Sequence, residues 1–244
     1  MLSISATSEL DVVAVQRSGD EIVVSNDAIG AQVPCGGGTP TVTNIDSIDF
    51  SGAPAASLVI DERGGPFTPG ATLDPLAGSE IEWKLDWQDG VLVVNSLPGS
   101  DAIGLGLAAD GARLNLNRAF EDPWDAEVAL GGMLSAVLRG DKGDEFLSGA
   151  GSYAPFAEFT APLDRPVSIV GSGGDDLLLG GTAGDVIDGG GGADTIEGGL
   201  GRDELSGGGG DDKIRSRDKA RDRIDCGSGD DEVKADRKDR LSGC

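Results

Sequence analysis

The chain has 244 residues, of which 43 are Asp or Glu, 19 are Lys or Arg and none is His, giving a formal charge of −24. Without histidine it can run neither a Ser-His nor a Cys-His nucleophile pair and can build no His-containing zinc site. The negative balance repels nucleic acid and anionic lipid and draws cations, while 4% aromatic residues point to a thin aliphatic core in an elongated fold.

From the N-terminus, Met1–Ser5 lacks the charged and apolar regions of a secretory signal, which leaves a leader already removed, another export route, or no export. Short β-like runs then recur between turn signals: 11–15, 21–24, 57–60, 81–85, 91–94 and 112–116. Alternation such as Ile81, Trp83, Leu85 and Leu114, Leu116 is the period-two pattern of half-buried strands, and no window shows a sustained helical period. No stretch approaches the roughly 18 apolar residues of a membrane span. Glu80, Glu82, Asp86 and Asp89 beside Trp83 and Trp87 have the residue types of a glycan-active site, although alternating charges on a solvated strand face explain them more simply. Residues 39–43 hold the nearest approach to an ice-binding Thr-x-Thr rank, at Thr39, Thr41 and Thr43. The segment 140–148, GDKGDEFLS, reads as a degenerate form of the nonapeptide that follows, with Glu145 in the place of Asp.

From Gly171 a period of nine takes over: GSGGDDLLL, GGTAGDVID, GGGGADTIE, GGLGRDELS and GGGGDDKIR, ending at Arg215. Each copy has Asp at its sixth position and Leu or Ile at its eighth. Three match G-G-x-G-x-D-x-U-x at every fixed place, and the departures are Ser172 and Ala183. Glycines at positions 1, 2 and 4 suit positive-φ backbone and converging carbonyl oxygens, which together with an Asp carboxylate form the all-oxygen donor set that Ca²⁺ takes. The x-U-x triplet makes a very short strand with one aliphatic residue turned inward. Two nonapeptides close one coil, so loop n lies over loop n+2 and two columns of loops form. Asp176, Asp194 and Asp212 stand in column one, and Asp185 and Asp203 in column two. Carboxylates a strand spacing apart repel by several kcal/mol at an effective dielectric near 20 unless a cation neutralises them. A metal-free Gly-Asp solenoid with Asp side chains capping turns is the plainer alternative.

These five copies resemble the repeats-in-toxin (RTX) family, the hemolysin-type calcium-binding repeat. The resemblance implies an all-β, right-handed parallel β-solenoid or β-roll over 171–244, with calcium as the bound ion and folding driven by it. The expected ligands are the side chains of Asp176, Asp185, Asp194, Asp203, Asp212 and Asp231 with the carbonyls of Gly171, Gly173, Gly180, Gly189, Gly191, Gly198, Gly207 and Gly209. Residues 1–170 form either degenerate solenoid coils, with the strands before Pro34 as an end cap, or a separate small β domain.

Beyond Arg215 the pattern loosens. The segment 216–225 carries one extra residue, 226–234 keeps its glycines and Asp231, and 235–243 has its Asp one place early. The column-two loops around Asp222 and Asp239 lack glycine and carry Arg217, Lys219, Arg221, Arg237 and Lys238, so fixed cations are expected to replace metal there; the alternative is a frayed, solvated charge run. Cys226 and Cys244 are one coil apart, within disulfide reach once stacked, which implies an oxidising compartment and leaves Cys35 over. The expectation is a secreted, extracellular, non-enzymatic calcium-binding protein. A polysaccharide lyase or epimerase on a β-helix, and a cell-surface adhesin or matrix protein with a glycan partner, are the rival classes. The metalloprotease motif HExxH is absent.

Overall fold

The computed structural model describes residues 2–6, 12–18, 21–26, 31–32, 47–52, 56–61, 63, 82–95, 102–108, 111–115, 127–151 and 161–244. Every regular element among them is a β-strand. A nine-residue repeat with one aliphatic residue per copy can bury only a narrow stripe, and the chain meets that limit by winding two facing parallel ladders around one column of side chains.

On the first face the strands Val12–Ser18, Ser57–Asp61, the C-terminal half of Glu82–Asn95 and the C-terminal half of Glu127–Arg139 pair in parallel. The ladder continues without a break through Val167–Gly173, Val186–Gly191, Glu204–Gly209, Arg223–Ser228 and Arg240–Ser242. On the opposite face Ala102–Ala108, Phe146–Ser148, Leu177–Leu179, Thr195–Glu197, Lys213–Arg215 and Glu232–Lys234 stack in parallel. Further ladder strands come from Leu2–Ala6, Ser47–Gly52 and the N-terminal halves of the two long strands. Gly111–Asn115 joins these to the opposite face, pairing antiparallel with both Glu127–Leu130 and Gly104–Ala108. The described coils thus run from Leu2 to the C-terminus in one sheet system, the all-β parallel roll expected from the repeat. At the N-terminal end, Glu21–Asn26 lies antiparallel on Val12–Ser18 and itself carries Ala31–Gln32, closing a ladder edge that would otherwise stay open to further strands.

Register in the repeats follows the coil length. From Ser168↔Val186 to Thr195↔Lys213, partners stand two full repeats apart in sequence. The step Glu204↔Arg223 is one place longer and the step Arg223↔Arg240 one place shorter, so the extra residue of one segment and the early Asp of the next cancel and the aliphatic column stays in line. Before the array the sequence distance between partners widens, at Ser148↔Leu179 and Val137↔Ser168, because an insertion lies between two stacked coils.

The eighth-position residues Leu178, Ile187, Ile196, Leu205, Ile214 and Ile224 are fully buried, in one cluster that continues through Leu138, Leu92, Ile60 and Val15 to Ile4. Strands on the two faces differ in length. The triplets Leu177–Leu179, Thr195–Glu197 and Lys213–Arg215 are three residues long, whereas Val186–Gly191 and Glu204–Gly209 run six, because pairing continues into the glycines of the next loop, as in Gly190↔Gly208. Column-one loops are therefore tied together by backbone as well as by side chains. Cys226 is buried in the core cluster and bonded to Cys244, with Cα atoms 5.0 Å apart. Strand partners in this last coil follow the shorter step, as in Asp225↔Ser242, so Cys244 stands one place past the position aligned with Cys226. Cys35 and the threonines at 39, 41 and 43 lie outside the described residues.

Because each coil contributes a single large aliphatic residue per face, removing one leaves a cavity that neighbours cannot refill. Ile196→Ala is expected to destabilise the folded protein by about 3 kcal/mol, whereas Val186→Ala, at a half-exposed position, costs less than about 1 kcal/mol. Denaturant titrations of both variants at fixed calcium check this; equal losses would overturn the single-file core.

Candidate metal centre

The sixth-position aspartates are the organising side chains of the loops. Asp176, Asp185, Asp194, Asp203 and Asp212 are buried at 1–2% exposure. In column one the backbone N–H of Glu145 donates to Oδ1 of Asp176 at 2.8 Å, that of Asp176 to Asp194 at 2.9 Å, that of Asp194 to Asp212 at 2.9 Å and that of Asp212 to Asp231 at 3.0 Å. Column two repeats the arrangement: Val167 donates to Asp185, Asp185 to Asp203, Asp203 to Asp222 and Asp222 to Asp239. Each carboxylate thereby receives the N–H of the coil before it.

The second oxygen is left over. Oδ2 of Asp176, Asp194, Asp203, Asp212 and Asp222, and Oε2 of Glu145, are buried without a hydrogen-bond partner, a costly state for a charged group. Except at Asp222, whose loop begins with Ser216, these oxygens point at the first-position glycine of their own loop. A Cβ on Gly171 would stand 2.1 Å from Asp176 Oδ2 and 2.6 Å from the Gly189 carbonyl oxygen. The same meeting recurs at Gly189 with Asp194 and the Gly207 carbonyl, and at Gly207 with Asp212 and the Cys226 carbonyl. Position 1 is thus glycine to make room for oxygens and not, as the sequence pattern suggested, to reach positive φ. Positive φ belongs mainly to position 4, as at Gly192 (132°), and to position 2. Of the other expected ligands, Gly191 and Gly209 each accept a loop-to-loop N–H, from Gly174 and Gly192. Gly173 pairs in register with Gly191.

Column two departs from this in two places. Loop 180–185 has Ala183 at position 4 and no positive φ. There Gly181 turns its N–H onto Asp185 Oδ2 at 2.6 Å, so both Asp185 oxygens are bonded within the protein, although the Gly198 carbonyl still approaches Gly180. At Gly198 the atoms nearest an added Cβ are Asp203 Oδ2 and Cγ and a Leu205 methyl carbon, with no carbonyl from the glycine-free loop that follows. In that loop Arg217 and Arg221 donate Nε to the carbonyls of Ala235 and Lys238 at 3.4 Å, and Lys238 Nζ donates to the Lys219 carbonyl at 3.2 Å. Of these carbonyls, that of Ala235, the first residue of its segment, corresponds to those that face the cradle elsewhere. Asp231, half-buried, caps the Asp212 N–H from a loop whose first residue is Cys226, where a Cβ fills the space glycine leaves open.

A further set of acids emerges only from the stacking. Asp144 accepts the Asp175 N–H, Asp175 the Ala193 N–H and Asp211 the Asp230 N–H, at 2.8–2.9 Å. These fifth-position residues look unconstrained when all copies are aligned, since Gly184 and Arg202 share the position. Sorted by alternate loops they read Asp144, Asp175, Ala193, Asp211 and Asp230 along column one, which is the signal that finds them. Side chains of the Glu82, Asp86 and Asp89 group and of Trp83 and Trp87 lie outside the described residues, as does Glu80.

A family model described as the RTX calcium-binding nonapeptide repeat, in 4 copies, matches residues 170–205 and 188–217. This segment is an RTX calcium-binding repeat array. Searches of curated proteins and of solved structures each found no match. The RTX array supplies what the ion of its family requires: a carboxylate oxygen with no protein partner, a cradle that a Cβ would fill, and a main-chain carbonyl from the next coil. Among the described residues no three carboxylate, thiol or imidazole side chains converge, so an ion held here would draw most of its oxygens from main-chain carbonyls, as suits a hard cation.

Burial pushes the ladder carboxyls up: Asp185 and Asp194 to about 6, Asp203 to about 7, and Glu145 to about 8 with the neighbouring Asp176 adding to the effect. Asp176, Asp212 and Asp222 rise for the same first reason, desolvation, against the lowering effect of the backbone N–H each accepts. A group whose pKa is higher folded than unfolded favours the folded state at low pH. That contribution is lost as pH climbs from the unfolded value of 3.8 through about 6 to 7. With calcium chelated, the β signal in circular dichroism is therefore expected to be stronger at about pH 5 than at about pH 7.5. A signal that rises with pH would contradict the burial of charged carboxylates.

Proposed function

We propose that the chain is a secreted calcium-responsive β-roll protein in which metal bound between stacked loops completes the fold, without catalysis. The observation that carries this is the file of buried, unpartnered carboxylate oxygens at Asp176, Asp194 and Asp212, each set against a glycine and the next coil's carbonyl. Metal-free, each junction buries charge with nothing to balance it. A calcium ion held by the Asp carboxylate with carbonyls of Gly189, Gly207 and Cys226 and their neighbours supplies the missing partner, and its binding free energy becomes folding free energy. Column one is the principal metal column, because column two satisfies Asp185 internally and fills its later loops with Arg and Lys.

Secretion is supported by the Cys226–Cys244 bond, which needs an oxidising environment, and by the habit of RTX proteins, which are typically exported. Extracellular calcium is also far more abundant than cytosolic calcium, so a chain of this kind stays unfolded before export and folds after it. A non-catalytic role fits a composition without histidine and donor oxygens that face neighbouring loops.

Calcium added to chelator-stripped protein is expected to raise the β signal cooperatively and to release heat in calorimetry, with magnesium a poor substitute because it demands a smaller octahedral shell. Asp194→Asn should weaken calcium binding on the order of tenfold or more, through loss of a charged ligand, and Asp185→Asn far less. No change in dichroism or heat through about 10 mM calcium, beyond the range of extracellular calcium modules, would sink this reading.

A further inference from the structure

The first loop of column one lies outside the matched array, which begins at residue 170. Gly140–Glu145 nevertheless docks on Gly171–Asp176 as one repeat docks on the next. Gly140 donates its N–H to the Val170 carbonyl at 2.8 Å and Leu177 donates to the Glu145 carbonyl at 2.8 Å, alongside the Glu145 to Asp176 bond of the ladder. A Cβ on Gly140 would stand 2.4 Å from the Gly171 carbonyl oxygen and 2.7 Å from Glu145 Oε2, the same cradle as at Gly171, Gly189 and Gly207.

The chemistry is richer here than in the repeats. Glu145 is 2% exposed, its Oε1 accepts the Gly143 N–H at 3.1 Å and its Oε2 has no partner. The glutamate side chain is one methylene longer than aspartate, and its carboxyl lies within hydrogen-bonding reach of the Asp176 carboxyl. The two carboxyls come closer here than at the junctions below, where each aspartate also faces the next but acts on it through charge. Burial acts on both most strongly, followed by backbone N–H donors and other acids.

We propose that the junction of Gly140–Glu145 with Gly171–Asp176 is a calcium site in its own right, the first of column one, held by the Glu145 and Asp176 carboxylates and the Gly171 carbonyl. It rests on the calcium reading of the array and extends it across the insertion, because Glu145, whose N–H bonds the Asp176 carboxylate across a sequence separation of 31, and Asp176 come from either side of the insertion at 149–166. The ion clasps the N-terminal coils to the repeats. The longer Glu145 side chain brings both carboxylates to this one site, and affinity at oxygen sites rises with ligand charge.

Calcium bound at saturation is counted by equilibrium dialysis for the full chain and for Glu145→Gln, Glu145→Asp and Asp194→Asn. Glu145→Gln is expected to bind one ion fewer and to lose the tightest phase of the titration, while Glu145→Asp keeps the full count. Hydrogen exchange on the unmutated protein gives a second measure that needs no variant: amides of 140–148 become protected at lower calcium than those of 195–197. An unchanged ion count and affinity in Glu145→Gln, or protection of 140–148 only after 195–197, overturns the clasp while leaving the repeat sites standing. Loss of an ion in Asp194→Asn alone overturns the clasp in the same way. A wild-type protein that binds no calcium overturns both readings.

Discussion

One hydrogen bond sets the rest of this structure: the N–H of each sixth-position residue donates to the aspartate one coil later. It draws the carboxylate inward, buries it and spends only one of its two oxygens. The remaining oxygen turns toward the first-position glycine, and the glycine is there because no Cβ fits. Period and burial are therefore consequences of a single bond repeated down the roll, and the spare oxygen is the one a cation would meet. An Asn could make the same bond, but it would bring no charge to the cradle, which is why a protein built only to stack coils has less use for Asp at this place.

The two columns apply the same ladder to different ends. Column one keeps its glycines, continues backbone pairing through its loops, and lines its outer edge with Asp144, Asp175, Asp211 and Asp230. Column two places Gly184, Arg202 and Arg221 at the corresponding positions, and its last loops carry the basic residues that donate to carbonyls. A roll whose edges differ so strongly in charge can tether one edge to metal while the other holds itself together with fixed cations. Exposed pairs such as Arg215 with Glu197 and Lys234 with Glu232 add little to stability by comparison.

The roll also has dissimilar ends. Toward the C-terminus the aliphatic column thins, Arg240–Ser242 is exposed, and a disulfide rather than packing holds the last coil. Toward the N-terminus the core broadens, long strands bridge two ladders, and an inverted strand at Gly111–Asn115 is spliced into the sheet. Such coils gain stability from neighbours more than from themselves. The junction at Glu145 is the step where one regime passes into the other.

The residues alone determined what is periodic. A nine-residue beat fixed the two-repeat coil, the inward aliphatic at position eight, the assignment of each Asp to its column and the pairing of Cys226 with Cys244, because each follows from counting along the chain. The strand character of 57–60, 91–94 and 112–115 was legible as short β-like runs between turn signals, for the same local reason. Tertiary structure decided whatever depends on what lies across a junction. The closing of Asp185 by Gly181, the fifth-position ladder, the inversion of Gly111–Asn115 and the meeting of Glu145 with Asp176 are set by sheet register. An insertion changes the sequence distance between hydrogen-bonded coils from 18 to 31 without moving them apart in space; the degenerate nonapeptide at 140–148 signals an earlier coil, but only sheet register sets Glu145 on Asp176.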